Sequence, residues 1–511
     1  MNDKFNRSIL VFCVIFSALA HAFRWFNADF CHDSLLVYQN DGIWQLFLGR
    51  WFVPFWLFVR GKIASPWLIA ILSVLFLSVA IVLLTYLFGL RKRALAIPLC
   101  AVISSCPVIT CLYSTFISAT DIHMIAFFFS VLSVLMLSHL KHGWLYGGIV
   151  LAFSMALYQT YVEVAIVLII FLVIKMLVIG DEAIDIRKFI FRSICYLSFG
   201  GLFYFIVWRS YIWCLGYNLS TLPSVGSYNS LTGMSELLHA NLWVLAFKAY
   251  KKAMRYVLLP NTLHYYYIGV ANLLLAVLGL SRAAVSTRTW PRRLLCLTLV
   301  LSLPLAANFV YILSRGMIHT LMLFPIVMFY VGVLMTCSFR ITPKFQRFDR
   351  ISRYSIVAVV AIVSFNYTVY ANQFHLQKHL EEQATLSVMT RVVDRIERFD
   401  GYKSGDKVVL VGVLNTSSIS PRRPGFEKNT NNVIRSRPGF SVTYMETYQN
   451  YFNEILAYPI VIAGREEAYE YSRMQEVIQM PSFPSEGCIK RIGDDIVVKL
   501  SNEIMQKYYE F

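Results

Sequence analysis

A chain of 511 residues that is 57% hydrophobic and only 15% charged is not an ordinary soluble protein, in which about a quarter of the residues carry charge. Its net charge of +17 would suit a nucleic-acid partner. The basic residues, however, gather in short clusters between apolar runs, a distribution that argues for membrane topology and against nucleic acid.

Apolar runs of about twenty residues, enough to cross a hydrocarbon core of roughly 30 Å, recur over the first three quarters of the chain. The first, Ile9 to Phe23, reads as a retained helix rather than a cleaved signal peptide, because no small-residue cleavage site and soluble domain follow it. The pattern predicts about eleven transmembrane helices, at 8–26, 67–90, 94–112, 122–138, 144–159, 161–179, 193–214, 264–281, 294–313, 319–337 and 354–371. Lys4 and Arg7, Arg91–Lys92–Arg93, Arg187/Lys188/Arg192, Arg282 to Arg293 and Arg340 to Arg353 fall in alternate loops and belong in the cytoplasm. The segments 27–66, 113–121, 215–263, 314–318 and 372–511 then lie outside. Eight of the ten cysteines fall in spans; Cys31 and Cys488, both predicted outside, either pair or remain two unrelated thiols.

The first outside loop is the richest in polar groups: Arg24, Asn27, Asp29, Cys31, His32, Asp33, Ser34, Tyr38, Asp41, Trp44 and Gly49–Arg50–Trp51. Ionisable residues at span ends are candidate functional groups. Trp44 to Arg60 is dense in aromatic residues and predicts a helix lying in the membrane interface. Thr120–Asp121–Ile122–His123 opens the fourth span, where Asp121 either caps the helix or serves the chemistry. Tyr158–Gln159 and Pro304 to Asn308 interrupt their apolar runs. Arg209 and Arg315 stand at the outer face, where an arginine either holds a lipid phosphate through paired hydrogen bonds or snorkels to headgroups. From Ser235 the loop 215–263 reads as an amphipathic helix bearing Lys248, Lys251, Lys252 and Arg255, suited to an anionic membrane surface or a lipid-linked substrate.

The remainder, 372–511, reads as a separate small α/β domain: a helix over Leu376 to Phe399, strands at 407–414, 458–462 and 495–500, and a helix over Glu466 to Gln479. It carries no phosphate-cradling glycine pattern, nucleophile elbow or HExxH motif. Its basic loop, Arg422 to Arg437, reads as a solvated loop or an anion-binding one. The domains are therefore 1–371, membrane-spanning, and 372–511, extracytoplasmic.

Three functions fit: a membrane glycosyltransferase using a lipid-phosphate sugar, a transporter or flippase, and a non-enzymatic assembly factor for lipid-linked glycans. A transporter should show mid-membrane polar groups and paired broken repeats. Here the polar candidates cluster at one face.

The run His32–Asp33–Ser34, then Trp44 and Gly49–Arg50–Trp51, resembles the signature of the Gtr-type bacterial glucosyl transferases, integral-membrane glycosyltransferases of the GT-C class. Leu157–Tyr158–Gln159 matches a Tyr-Gln pair of that family, and Met480 to Ile489 with Gly493 to Leu500 resembles its closing segment. Ser34 departs from it, standing where members commonly carry a second acid. The resemblance implies transfer of a hexose, most often glucose, from a polyprenyl-phosphate sugar to a periplasmic or extracellular glycan such as the O-antigen of lipopolysaccharide. It also implies a bacterial inner-membrane location, with a lipid flippase and a polyprenyl-phosphate sugar synthase as functional partners. That chemistry needs a carboxylate as general base on the acceptor hydroxyl and cations for the departing phosphate. Asp33 is the expected base and Asp29 the alternate. Arg50 is the first phosphate ligand, with Arg209 and Arg315 behind it, and Trp44, Asp121, Tyr158 and Gln159 complete the expected substrate site. No metal-ligand set is assigned, although His32 beside Asp29 and Asp33 offers donors suited to a divalent ion.

Overall fold

The computed structural model describes residues 3–29, 34–35, 42–179, 186–218, 241–258, 266–287, 289–412 and 445–502. Asp33, His32, Cys31, Tyr38, Asp41, the start of the predicted amphipathic helix at 235–240 and the basic segment 421–437 lie outside them. Among the described residues, nine helices are long and apolar enough to cross a membrane: Asp3–Phe26, Pro66–Phe88, Arg93–Thr115, Ile117–His139, Tyr161–Ile179, Ile186–Cys214, Tyr267–Ser286, Trp290–Leu313 and Pro343–Glu397. Two shorter apolar helices, Gly143–Leu157 and Thr320–Thr336, fall on two further predicted spans. The chain is a mostly helical, multi-pass membrane protein with a small sheet near its C-terminus.

The chain groups into two compact units: Met1–Phe26, Asn40–Tyr113 and Ile117–Asn372 in one, Asn27–Gln39, Ser114–Phe116 and Gln373–Phe511 in the other. In the first unit the elements run α1 (Asp3–Phe26), α2 (Ile43–Phe47), α3 (Val53–Arg60), α4 (Pro66–Phe88), α5 (Arg93–Ser104), α6 (Pro107–Thr115), α7 (Thr120–His139), α8 (Gly143–Leu157), α9 (Tyr161–Ile179) and α10 (Ile186–Cys214). They continue with α11 (Leu242–Leu258), α12 (Tyr266–Ser286), α13 (Trp290–Ala306), α14 (Val310–Leu313), α15 (Phe324–Thr336) and the first half of α16 (Gln346–Glu397), whose residues from Gln373 on belong to the second unit.

Helices in lipid approach closely where small residues remove side chains from the seam. At the α8–α10 crossing, a Cβ on Gly148 would meet Phe199 Cδ1 at 2.8 Å, and one on Gly200 would meet the Gly148 carbonyl at 3.0 Å. One helix over, Ser133 of α7 and Tyr196 of α10 share a hydroxyl–hydroxyl bond of 2.6 Å, satisfying two buried polar groups across the seam.

Two expectations change. The stretch Trp44 to Arg60 is not one interfacial helix: it breaks into α2 and α3 around Gly49, at φ 88°, a left-handed conformation that favours glycine. One side of the pair is buried, with Leu46, Phe47 and Trp51 packed against α8 and α10, while Trp44, Phe55 and Phe58 point outward. The last predicted span and the helix after it are one element, because nothing between Gln346 and Glu397 breaks a helix: neither glycine nor proline occurs in those 52 residues.

In the second unit the sheet order is β2-β1-β4-β3, with β1 (Lys407–Val411), β2 (Val461–Ile462), β3 (Ile489–Ile492) and β4 (Asp495–Lys499). β1 runs parallel to both β2 and β4, and β3 pairs antiparallel with β4. β1 and β4 are nearly continuous apolar runs, as expected of parallel strands covered on both faces. α17 (Met445–Asn450), α18 (Arg465–Ser472) and α19 (Gln475–Gln479) complete the unit, so the single helix predicted over Glu466 to Gln479 is two short ones.

Candidate active site

Arg50 sits in the turn between α2 and α3, and the packing on either side fixes its backbone. Trp208 of α10 donates its indole N–H to the Leu46 carbonyl at 2.9 Å, and Phe52 N donates to the Ala156 carbonyl of α8 at 3.2 Å. Across from it, α8 stops at Leu157 and α9 starts at Tyr161, leaving Tyr158–Gln159–Thr160 as a corner. Gln159 is held by its side-chain amide, which donates to the Leu48 carbonyl at 2.6 Å and to the Tyr204 hydroxyl at 3.2 Å. Its carbonyl oxygen faces Arg50 Nε at 3.5 Å.

The guanidinium is thus oriented from three sides. It donates to Gln45 Oε1 at 2.6 Å and lies 4.4 Å above the centre of the Tyr158 ring. That ring in turn packs against His123 at 4.2 Å between centroids. The three groups that touch the guanidinium are neutral, and among the described residues no carboxylate pairs with Arg50. A half-buried, oriented and uncompensated guanidinium is built to receive an anion, because its planar fork matches two phosphate oxygens at once.

Arg60, ten residues on, contrasts with it. Its guanidinium and the Asp121 carboxylate meet at 2.8 Å with side chains 1% and 0% exposed, and Trp56 donates to the other Asp121 oxygen at 2.7 Å. Both Asp121 oxygens are therefore taken by protein donors. Arg209 stands on α10, where its Nη1 is buried with no hydrogen-bond partner among the described residues. Arg315 follows α14 with φ 55°, an unusual conformation for a residue with a side chain. Trp44 is half-exposed on α2. Arg50, Tyr158 and Gln159 therefore form one cluster, and Arg209, Arg315, Trp44 and Asp121 stand apart from it on other elements or in other bonds.

In the second unit Asp29 is buried, and its Oδ1 lies 2.8 Å from Nδ1 of His379 on α16. Nearby, Tyr451 donates its hydroxyl to Glu382 Oε1 at 3.0 Å; burial, and then this carboxylate, push the phenol well above its usual range. Asn450 donates to the Leu35 carbonyl at 3.0 Å. Among the described residues no three His, Cys, Asp or Glu side chains gather as metal ligands. Cys488 is buried, in the wall of a cavity of about 390 Å³ with Arg395, Arg398 and Phe399.

Sequence reading did not find Gln45, Tyr204 or His379. Tyr204 and His379 meet partners 45 and 350 residues away, beyond any spacing rule, whereas Gln45 is five residues from Arg50 and is brought to it by the turn after α2. A protein-family model described as glucosyl transferase GtrII matches residues 23–336. No curated protein and no solved structure matches the chain.

Proposed function

The chain belongs to the glucosyl transferase GtrII family, and from that premise we propose that it moves a hexose, specifically glucose, from a polyprenyl-phosphate donor to a glycan hydroxyl. The acceptor in this reading is a surface glycan such as the O-antigen of lipopolysaccharide. The enzyme works in the bacterial inner membrane with its N-terminus in the cytoplasm, and its first loop and C-terminal unit in the periplasm or outside the cell. The alternate basic loops support that orientation. A lipid flippase and a polyprenyl-phosphate sugar synthase would supply the donor.

The observation that carries this reading is the guanidinium of Arg50, stacked on Tyr158 and hydrogen-bonded to Gln45, with no carboxylate partner among the described residues. A lipid phosphate is a good leaving group, so its departure needs stabilised oxygens rather than an acid. Oriented cations aimed at developing charge give the largest single contribution of this kind. The complementary task, removing the acceptor proton, falls to the Asp29–Asp33 segment.

The test is transfer from radiolabelled polyprenyl-phosphate glucose to lipid-linked glycan in membranes containing the full-length protein. Wild type should label the glycan. Arg50→Ala should lower kcat/KM about 10²–10³-fold, the loss typical of removing one such donor. Arg50→Lys should recover only part, since an ammonium neither forks nor stacks. Membranes that carry labelled lipid across the bilayer without glycosylating the acceptor would replace this reading with a flippase or transporter.

A further inference from the structure

Arg50 is followed directly by two aromatic residues, Trp51 and Phe52. Their rings meet Phe153 of α8 at 5.2 and 5.0 Å between centroids. From there the contacts pass from ring to ring. Phe153 meets Phe129 of α7 at 6.4 Å, Phe129 meets Phe128 at 5.4 Å, and Phe128 meets Phe76 of α4 at 5.8 Å. These rings all belong to the first compact unit, and the row they form starts beside the guanidinium.

On the proposed orientation, α4 and α7 both enter the membrane from outside, at Pro66 and Thr120. At 1.5 Å per residue, Phe76 and Phe129 stand about 13–15 Å along those axes. That is close to half of a hydrocarbon core of roughly 30 Å. The row therefore leads from the phosphate site toward mid-membrane. Its phenylalanines are neither sealed in the core nor fully open: Phe52, Phe76, Phe128, Phe129 and Phe153 are each half-buried. Phe58, 81% exposed, is by contrast an ordinary lipid-facing ring.

We propose that this row holds the polyprenyl chain of the donor, with Arg50 on the phosphate at its head. This rests on the transferase reading above. The two parts of the ligand match the two parts of the surface. An oriented cation takes the anion. The rings take the chain through dispersion and ring contacts, because in lipid there is no water to expel. A polyprenyl chain carries a double bond and a methyl branch in every unit, so it offers the rings π-faces and bulk that a saturated acyl chain lacks.

The experiment uses the full-length protein in membranes with different glucosyl-phosphate donors: a long polyprenyl one, a geranyl one too short to reach Phe76, and a saturated straight-chain one as long as the first. Wild type should show its lowest KM for the long polyprenyl donor. Phe129→Leu and Phe76→Leu keep most of the volume and lose the ring. Present at wild-type level, each should raise that KM relative to the geranyl donor's by about 2–10-fold, the worth of a ring contact, with kcat for the long donor unchanged. Equal KM changes for both donors, or none, overturn the proposal. So does a wild type that takes the saturated donor equally well. A second readout needs no transfer: polyprenyl phosphate bearing a diazirine in its chain should label α7 and α8, and unlabelled polyprenyl phosphate should displace it. Equal displacement by phosphatidylglycerol means that any membrane lipid fills the row, and the assignment falls. A wild type that keeps this displaceable label but transfers glucose from no donor ends the transferase reading and leaves the polyprenyl-phosphate site standing.

Discussion

Arg50 and Arg60 belong to one short stretch of chain, yet their surroundings give them opposite roles. Arg60 is neutralised by Asp121 in full burial, and a buried pair broken on one side leaves a charge that nothing compensates. Asp121→Asn should therefore destabilise the protein by about 3–5 kcal/mol, read as a lower thermal midpoint in detergent. Replacing both residues, Arg60→Met with Asp121→Leu, should recover most of the loss. If the single variant unfolds at the wild-type temperature, the pair contributes little. Asp121 shows what a sequence conveys and what it withholds. It does fall in the first turn of its helix, as read. Its true partners, Arg60 and Trp56, come from a helix about sixty residues earlier, and pattern alone does not reach them. Arg50 was legible as a candidate because it stood in an aromatic, polar outer loop. Its selection over Arg209 and Arg315 comes from Gln45, five residues earlier, and from the Tyr158 ring, which only the fold brings to it.

At the scale of elements, the two interruptions noticed in the sequence, at Tyr158–Gln159 and at Pro304 to Asn308, turn out to be joined. Glu163, buried in the first turn of α9, accepts the Val310 N–H at the start of α14 at 2.6 Å. It thereby satisfies a backbone donor that the break after α13 would strand in a medium without water. Asn308, in that same break, donates to the Ala249 carbonyl of α11 at 2.8 Å. Glu163→Ala should leave the Val310 N–H unpaired at a cost of roughly 1–3 kcal/mol, whereas Glu163→Gln keeps an acceptor oxygen and should cost less. Thermal unfolding in detergent ranks the two variants; equal midpoints would mean the bond contributes nothing. Helices and strands were largely legible, since apolar period and length decide them. Their ends were not, as the merged helix α16 and the divided Trp44 to Arg60 stretch illustrate: absence of a breaker and a single left-handed glycine decide those.

At the scale of the whole molecule, composition alone reveals the membrane class; the second compact unit joins Gln373–Phe511 to two short earlier segments. That the start of the first outer loop, Asn27–Gln39, groups with the C-terminal unit was not legible, because bonds such as Asp29–His379 and Leu35–Asn450 join residues hundreds of positions apart. The small sheet carries its own titration. Asp406 accepts from Arg491 at 2.6 Å, and that hydrogen bond holds the Asp406 carboxyl below its ordinary 3.8. The unfolded carboxyl then takes its proton first as pH drops, so the contribution is complete above 3.8 and fades below it. Amide protection in β1 and β3, corrected for intrinsic exchange, should weaken below that pH, and Arg491→Met should remove this part of the dependence. The pairing of Asp29 with His379 also has a consequence in time. At roughly 5–20 residues per second, a ribosome that has finished the first loop needs on the order of 20–70 s before the histidine is even made. Until then the nascent chain can insert its helices, but the bond between the first loop and the histidine cannot form. The second unit is therefore assembled only with the last quarter of the protein.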